Sequence, residues 1–249
     1  MRSGYAGHAV TAASTPVATT TSVLAAGVGL RRRWGWRQWG AVLRAASFRL
    51  DTPLSGAASF GIAIPRQSPA TALVDLLAGL ARPDYGELRV LGEDLTTARG
   101  RSSVRGQVGV ARRIARPQPA FRVRGLVEHA ARLSRLPPRD RDPLAAAIVD
   151  RLSLTPWADV PVRAVPEVIC RKARLAAAAV HQPDLLLIDS LLDDLSAHDA
   201  STLADAIRDL GREMTIVATG RDPAVLALAC GEILTMADGI VVRQPAATD

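Results

Sequence analysis

Apolar and polar positions change period several times along the chain, and those changes divide it into elements. The clearest is Leu185-Leu186-Leu187-Ile188, an unbroken aliphatic run set between Pro183-Asp184 and Asp189-Ser190. Without polar alternation, such a run predicts a strand buried on both faces, in a sheet that helices cover on each side. Residues 46–50 and 60–64 are further apolar runs of strand length, parted by the turn residues Pro53, Ser55 and Gly56. Over 71–81 the period becomes helical, and Arg82-Pro83-Asp84-Tyr85-Gly86 stops the helix. Residues 87–91 and 107–111 read as strands on either side of a polar loop, 92–106. From 116 to 165 the chain is helical and punctuated by prolines, with helices near 123–136 and 143–152. A helix over 168–180 leads into the aliphatic strand. Beyond it the pattern gives a helix 198–210, a strand 214–219, a helix 223–229, and strands 232–236 and 240–242. Strands alternating with helices predict an α/β fold with a mostly parallel sheet covered on both faces.

A chain of 249 residues that is 48% hydrophobic can bury a substantial core. Its longest mixed apolar stretch, 17–30, is too short and too rich in Thr, Ser and Gly to span a bilayer. The N-terminus lacks the compact apolar core of a signal peptide, so residues 1–21 are expected to form a flexible tail. Cys170 and Cys230 lie far apart and outside any metal-ligand or redox spacing, which predicts reduced, buried thiols in a cytoplasmic protein. The formal charge of +7 has one source: residues 1–50 contain seven arginines and no acid, while the remainder has 24 basic and 24 acidic residues. Three of the four tryptophans stand there too, within Arg31-Arg32-Arg33-Trp34-Gly35-Trp36-Arg37-Gln38-Trp39. This cluster reads either as a surface for anionic lipid or nucleic-acid phosphate, or as a hairpin turn whose tryptophans pack on their own sheet.

Asp189 stands at the C-terminal end of the predicted central strand, where α/β proteins bind ligands. In that setting a carboxylate suits a Mg²⁺-phosphate group. The following residue, Ser190, has no base beside it and is a poor activator of water.

The order of segments closely resembles the ATP-binding cassette of ABC transporters. The resemblance runs from about residue 47 to 242 and rests on three stretches: Leu76 to Gly92 (LLAGLARPDYGELRVLG), Gln182 to Asp189, and Glu232 to Val242 with Asp238-Gly239. It implies a P-loop-type fold over 22–245, with an N-terminal antiparallel β part and an inserted helical subdomain at about 114–165. It also implies ATP and Mg²⁺ bound between two cassettes, so that the partners would be a second cassette, a membrane-spanning transporter subunit, or both. The chain would then be cytoplasmic and peripheral at the inner face of the cell membrane, with residues 31–39 available to an anionic membrane surface.

At the level of residues this sequence departs from the family pattern. The family's phosphate loop, G-x-x-G-x-G-K-[ST], matches Ile64-Pro65-Arg66-Gln67-Ser68-Pro69-Ala70-Thr71, where every glycine is replaced and Ala70 stands for the lysine. On resemblance alone the nucleotide positions are Arg66, Gln67, Ser68, Ala70, Thr71, Ala72 and Asp189, with Thr71 and Asp189 as Mg²⁺ ligands. The residues themselves also describe an ordinary helix start, with Ser68 as N-cap and Pro69 at N1. The family's L-S-G-G-Q signature matches Val165-Pro166-Glu167-Val168-Ile169, which puts a carboxylate where a γ-phosphate would arrive and stabilises a helix N-terminus instead. Arg113, Ser190 and Arg221 stand where the resemblance places the Mg²⁺-linking glutamine, the catalytic glutamate and the γ-phosphate histidine. None of the four histidines, His8, His129, His181 and His198, falls at that last position. With those groups replaced the expectation is no catalytic residue, no required cofactor, and a pseudo-ATPase that scaffolds or regulates a transporter complex. Two alternatives stay open: weak ATP hydrolysis through Thr71, Asp189 and Arg66, and binding of anionic membrane or nucleic acid through residues 31–39.

Overall fold

The computed structural model describes residues 19–34, 38–53, 57–64, 67–113, 121–237 and 240–243. Strands β1 (Thr19–Trp34) and β2 (Gln38–Pro53) form a long antiparallel hairpin. Next come β3 (Ser59–Ala63), α1 (Gln67–Leu77), β4 (Tyr85–Val90), β5 (Glu93–Asp94), α2 (Ala98–Val104) and β6 (Val108–Arg112). A helical segment then holds α3 (Val123–Leu133), α4 (Pro138–Arg151), two 3-10 turns and the start of α5 (Glu167–Ala179). The chain finishes with β7 (Leu185–Asp189), α6 (Ala197–Leu210), β8 (Thr215–Gly220), α7 (Pro223–Ala227), β9 (Glu232–Ala237) and β10 (Ile240–Arg243).

The strands line up as β5-β4-β1-β2-β10-β9-β3-β8-β7-β6. The first four are antiparallel, and β9, β3, β8, β7 and β6 run parallel. A bridge at Ile240–Ser47 joins the two parts. The predicted α/β architecture, parallel sheet and antiparallel N-terminal part are all present.

β7 shows why its sequence has no polar alternation. All of its residues are buried, and the period of two divides them between two cores. Leu185 and Leu187 join the core that includes Leu73, Val74, Leu76 and Leu77 of α1 and the inner face of the antiparallel strands. Leu186 and Ile188 join the other, with α5, α6 and the helical segment. At roughly 1.5–3 kcal/mol for each fully buried aliphatic side chain, these four anchor both layers. At the sheet's edge, β6 is covered by α5 because Gly109 has no side chain. A Cβ there would meet the Ala178 carbonyl oxygen at 2.2 Å.

Several element readings need correction. The antiparallel part was expected without bounds for its first strand, and β1 begins at Thr19, inside the span assigned to the tail. The loop over 92–106 carries β5 and α2, the latter capped by Thr97 Oγ1, which accepts from Gly100 N at 3.0 Å. α1 starts at Gln67, so Ser68 and Pro69 lie within its first turn; Ser68 is not the N-cap, and residue 66 lies outside the described residues. Residues 1–18, Gly35 to Arg37 and Asp238-Gly239 also lie outside them.

Candidate functional site

The parallel register brings the C-terminal ends of β6, β7 and β8 side by side. Arg112 pairs with Asp189, and Asp189 pairs with Thr219, so polar residues end β6 and β7 and stand one before the end of β8. Asp189 is buried and Thr219 nearly inaccessible, at 5% and 1% exposure. A carboxylate so placed needs partners. Arg112 supplies one: its Nη1 lies 3.7 Å from Asp189 Oδ2, while its Nη2 donates to Asp75 Oδ1 on α1 at 2.6 Å.

A second tier surrounds this pair. Arg113 donates its backbone N–H to the Asp189 carbonyl at 3.0 Å and its Nη1 to Asp194 Oδ2 at 2.7 Å. Asp194 also accepts from Arg221 Nη2, and this bond with the guanidinium holds its carboxyl below the ordinary aspartate range. Asp193 Oδ1 accepts from the Arg221 backbone N–H, and Asp193 Oδ2 lies 3.4 Å from Arg221 Nε, close enough for charge attraction without a hydrogen bond. Behind them Arg171 of α5 donates Nη1 to the carbonyls of Leu191 and Asp193 at 2.7 and 2.5 Å, and its Nε to Glu167 Oε1 at 2.8 Å. Arg174 reaches the Arg113 carbonyl. Arginines of β6 and of the segments after β6 and β8 therefore meet the carboxylates at and after the end of β7, while those of α5 hold backbone carbonyls beside them, and the site is neutralised from within.

The positions taken from the family's nucleotide site are distributed as follows. Ala70 and Ala72 are buried in α1 at 3% and 1% exposure, with no side chain able to reach a phosphate. Thr71 is half-buried in the first turns of the same helix, and α1 packs against β7. Gln67 and Ser68 lie in the α1 backbone, and Arg66 is outside the described residues. Glu167 is the first residue of α5, where its charge favours the helix N-terminus, and it is tied to Arg171 one turn on. Ser190 takes a left-handed conformation, φ 55°, and its backbone N–H donates to the Thr219 carbonyl.

Mg²⁺ does not fit the residues as they stand. A dication coordinated by Asp189 would compete with the Arg112 guanidinium, whose Nη1 already lies 3.7 Å from Asp189 Oδ2, and the two like charges repel. No group of three or more His, Cys, Asp or Glu among the described residues could hold a metal ion. Sequence reading missed Asp75, Asp193, Asp194, Arg171 and Arg174, and it gave Arg112 no role. The one available signal was Arg112-Arg113 closing an otherwise apolar strand.

Three titratable groups away from this site give testable readouts. Burial pushes the His181 imidazole below the usual histidine range, opposed by a backbone hydrogen bond with Val108; Arg105 and Arg135 line the same groove. The unfolded chain then takes up a proton near pH 6.5 that folded His181 refuses until lower pH, so stability falls as pH drops through that value. Urea denaturation at pH 7.5 and 5.5 should show this loss, and His181→Gln should remove that part of it. The thiol of Cys230 is pushed up to about 12 by burial, and that of Cys170 is raised for the same reason. Both are expected to ignore the thiol reagent DTNB at pH 8 in the native protein and to react on unfolding.

The fold is that of an ATP-binding cassette, the nucleotide-handling unit of ABC transporters. No protein-family model matches the chain. In sequence it is similar to the Nod factor export ATP-binding protein I of Sinorhizobium fredii, 28% identical over 162 residues, which cover 65% of this chain and 47% of that protein. The protein of the same name from Ralstonia nicotianae is 25% identical over 217 residues, 87% of this chain and 65% of its own. The chain thus spans between about half and two thirds of the length of these relatives. Among solved structures, cbiO1 from Clostridium perfringens, part of the ABC transporter complex cbiONQ, superposes with a TM-score of 0.72 at 14% identity, covering 89% of this chain and 87% of that one. Among the described residues no helix is long and apolar enough to cross a membrane.

Proposed function

We propose that this chain is a non-catalytic ABC-type subunit, a pseudo-ATPase that scaffolds or regulates a complex with a membrane-spanning transporter subunit, a second cassette, or both. It would work at the cytoplasmic face of the membrane. The observation that carries this reading is the end of β7, where Arg112 lies beside Asp189 and no acid follows at Ser190. Ala70 brings no cation to the position of the family's lysine, and at the position of the family's signature segment Glu167 would present a carboxylate, paired with Arg171, to a partner's nucleotide. Groups that position and neutralise a transferring phosphoryl are each worth on the order of a hundredfold or more in rate. Both halves of a composite site are altered, so the chain would complete neither its own site nor a partner's. An ATPase assay on the purified chain should give the same rate as its Asp189→Asn variant, and extraction from the native membrane should recover a membrane-spanning subunit with it. Turnover well above that variant would contradict the reading.

A second reading, nucleotide binding with weak hydrolysis through Thr71, Asp189 and Arg66, draws on the retention of Thr71 and Asp189 at the matching positions. Quenching of tryptophan fluorescence by ATP that disappears in Thr71→Val would favour it. The third reading is a membrane contact at the hairpin, where Arg31, Arg32, Arg33 and Trp34 pair in register with Ala41, Gly40, Trp39 and Gln38, beyond the last β1–β4 pair at Gly29 and Tyr85. Sedimentation with anionic liposomes that weakens with salt, and is lost when Arg31, Arg32 and Arg33 are replaced by Glu, would assign that surface to lipid.

A further inference from the structure

We infer that Arg112 is the resident cation of the β7 strand end, a built-in substitute whose guanidinium and a divalent cation exclude one another at Asp189. This goes a step beyond the non-catalytic reading, on which it rests: the site is closed by a placed positive charge as well as lacking its phosphate-loop lysine. The parallel register sets Arg112 opposite Asp189, and Asp75, projecting from α1, fixes the other end of the guanidinium at 2.6 Å. The guanidinium thereby joins three elements, α1, β6 and β7, between the carboxylates of Asp75 and Asp189. The side chains of Arg112, Asp75 and Asp189 are 23%, 16% and 6% exposed, so the contact is walled by protein and little screened by salt. The nearby carboxylates of Asp193 and Asp194 are already engaged by Arg113 and Arg221, so they do not offset the charge of a second cation there.

The test uses Mn²⁺ alone, titrated into the full chain without nucleotide and followed by electron paramagnetic resonance. The wild type and Arg112→Lys are expected to leave the free Mn²⁺ signal unchanged. Arg112→Gln should bind Mn²⁺ at least about tenfold more tightly than the wild type, and adding Asp189→Asn should abolish the gain. Arg112→Met, which keeps the bulk and drops the charge, provides the same comparison if the glutamine variant fails to fold by circular dichroism. Equal Mn²⁺ affinity in the wild type and both neutral variants, or a gain that survives Asp189→Asn, overturns the inference. The two readings fail separately: turnover of Mg-ATP by the wild type contradicts the non-catalytic reading, whereas unchanged Mn²⁺ affinity contradicts only the role given to Arg112.

Discussion

Leu187→Ala should destabilise the chain by about 3 kcal/mol, within the 2–5 kcal/mol found for emptying a fully buried aliphatic site. Leu187 has no exposed surface and packs in the core formed by α1 and the antiparallel strands, while its neighbours Leu186 and Ile188 belong to the opposite core. Neither layer can collapse into the space left behind, because β7 is hydrogen-bonded on both edges, to β6 and β8. Urea denaturation followed by circular dichroism gives the number. Leu133→Ala is the matched control. That side chain is 75% exposed on α3, and its loss should stay within about 0.5 kcal/mol.

Arg171→Met is expected to cost a similar amount, about 3 kcal/mol, for a different reason. The Arg171 side chain is 4% exposed and is the donor to two carbonyls of the loop after β7, those of Leu191 and Asp193. Methionine fills much of the same volume and supplies no donor, leaving both acceptors short of a partner. Arg171→Lys should recover only part of the loss, since a single ammonium cannot hold the two carbonyls through one nitrogen and Glu167 through another, as Nη1 and Nε of the guanidinium do. Because Arg171 ties α5 to the carboxylate cluster, amide exchange in Asp193 and Asp194 should quicken in the methionine variant before global unfolding. Equal stability of wild type and Arg171→Met would show that the buried guanidinium holds nothing together.

How much of this was readable from the chain depends on what buries each segment. β7 announced itself because a strand covered on both faces has no polar position to interrupt it. α5, α6 and β8 were readable because each buries one periodic face or a continuous run. β1 was not, because Thr19 to Gly29 is made of small and hydroxylated residues. Its buried contacts are Val23, Ala25 and Val28, and Ser22 satisfies its hydroxyl by pairing with Thr52 at 2.7 Å. Its strand identity comes from pairing with β2 and β4 at once, a tertiary fact with no local period. α2 was hidden likewise, since only Gly100 and Val104 of its residues are buried. At the site, the altered phosphate-loop positions were visible in the sequence, but the arginine at Asp189 was not. Asp75, Arg112 and Asp189 are distant along the chain, and only the parallel register and the packing of α1 on β7 bring them into contact.

A non-catalytic subunit of this kind should not take up Mg-nucleotide at the end of β7. Isothermal titration of Mg-ATP into the purified chain addresses this without relying on turnover. The prediction is no saturable heat up to millimolar ligand in the wild type. Saturable binding in the micromolar range that is lost in Asp189→Asn would contradict it, because Asp189 would then be serving a metal-nucleotide complex and not Arg112.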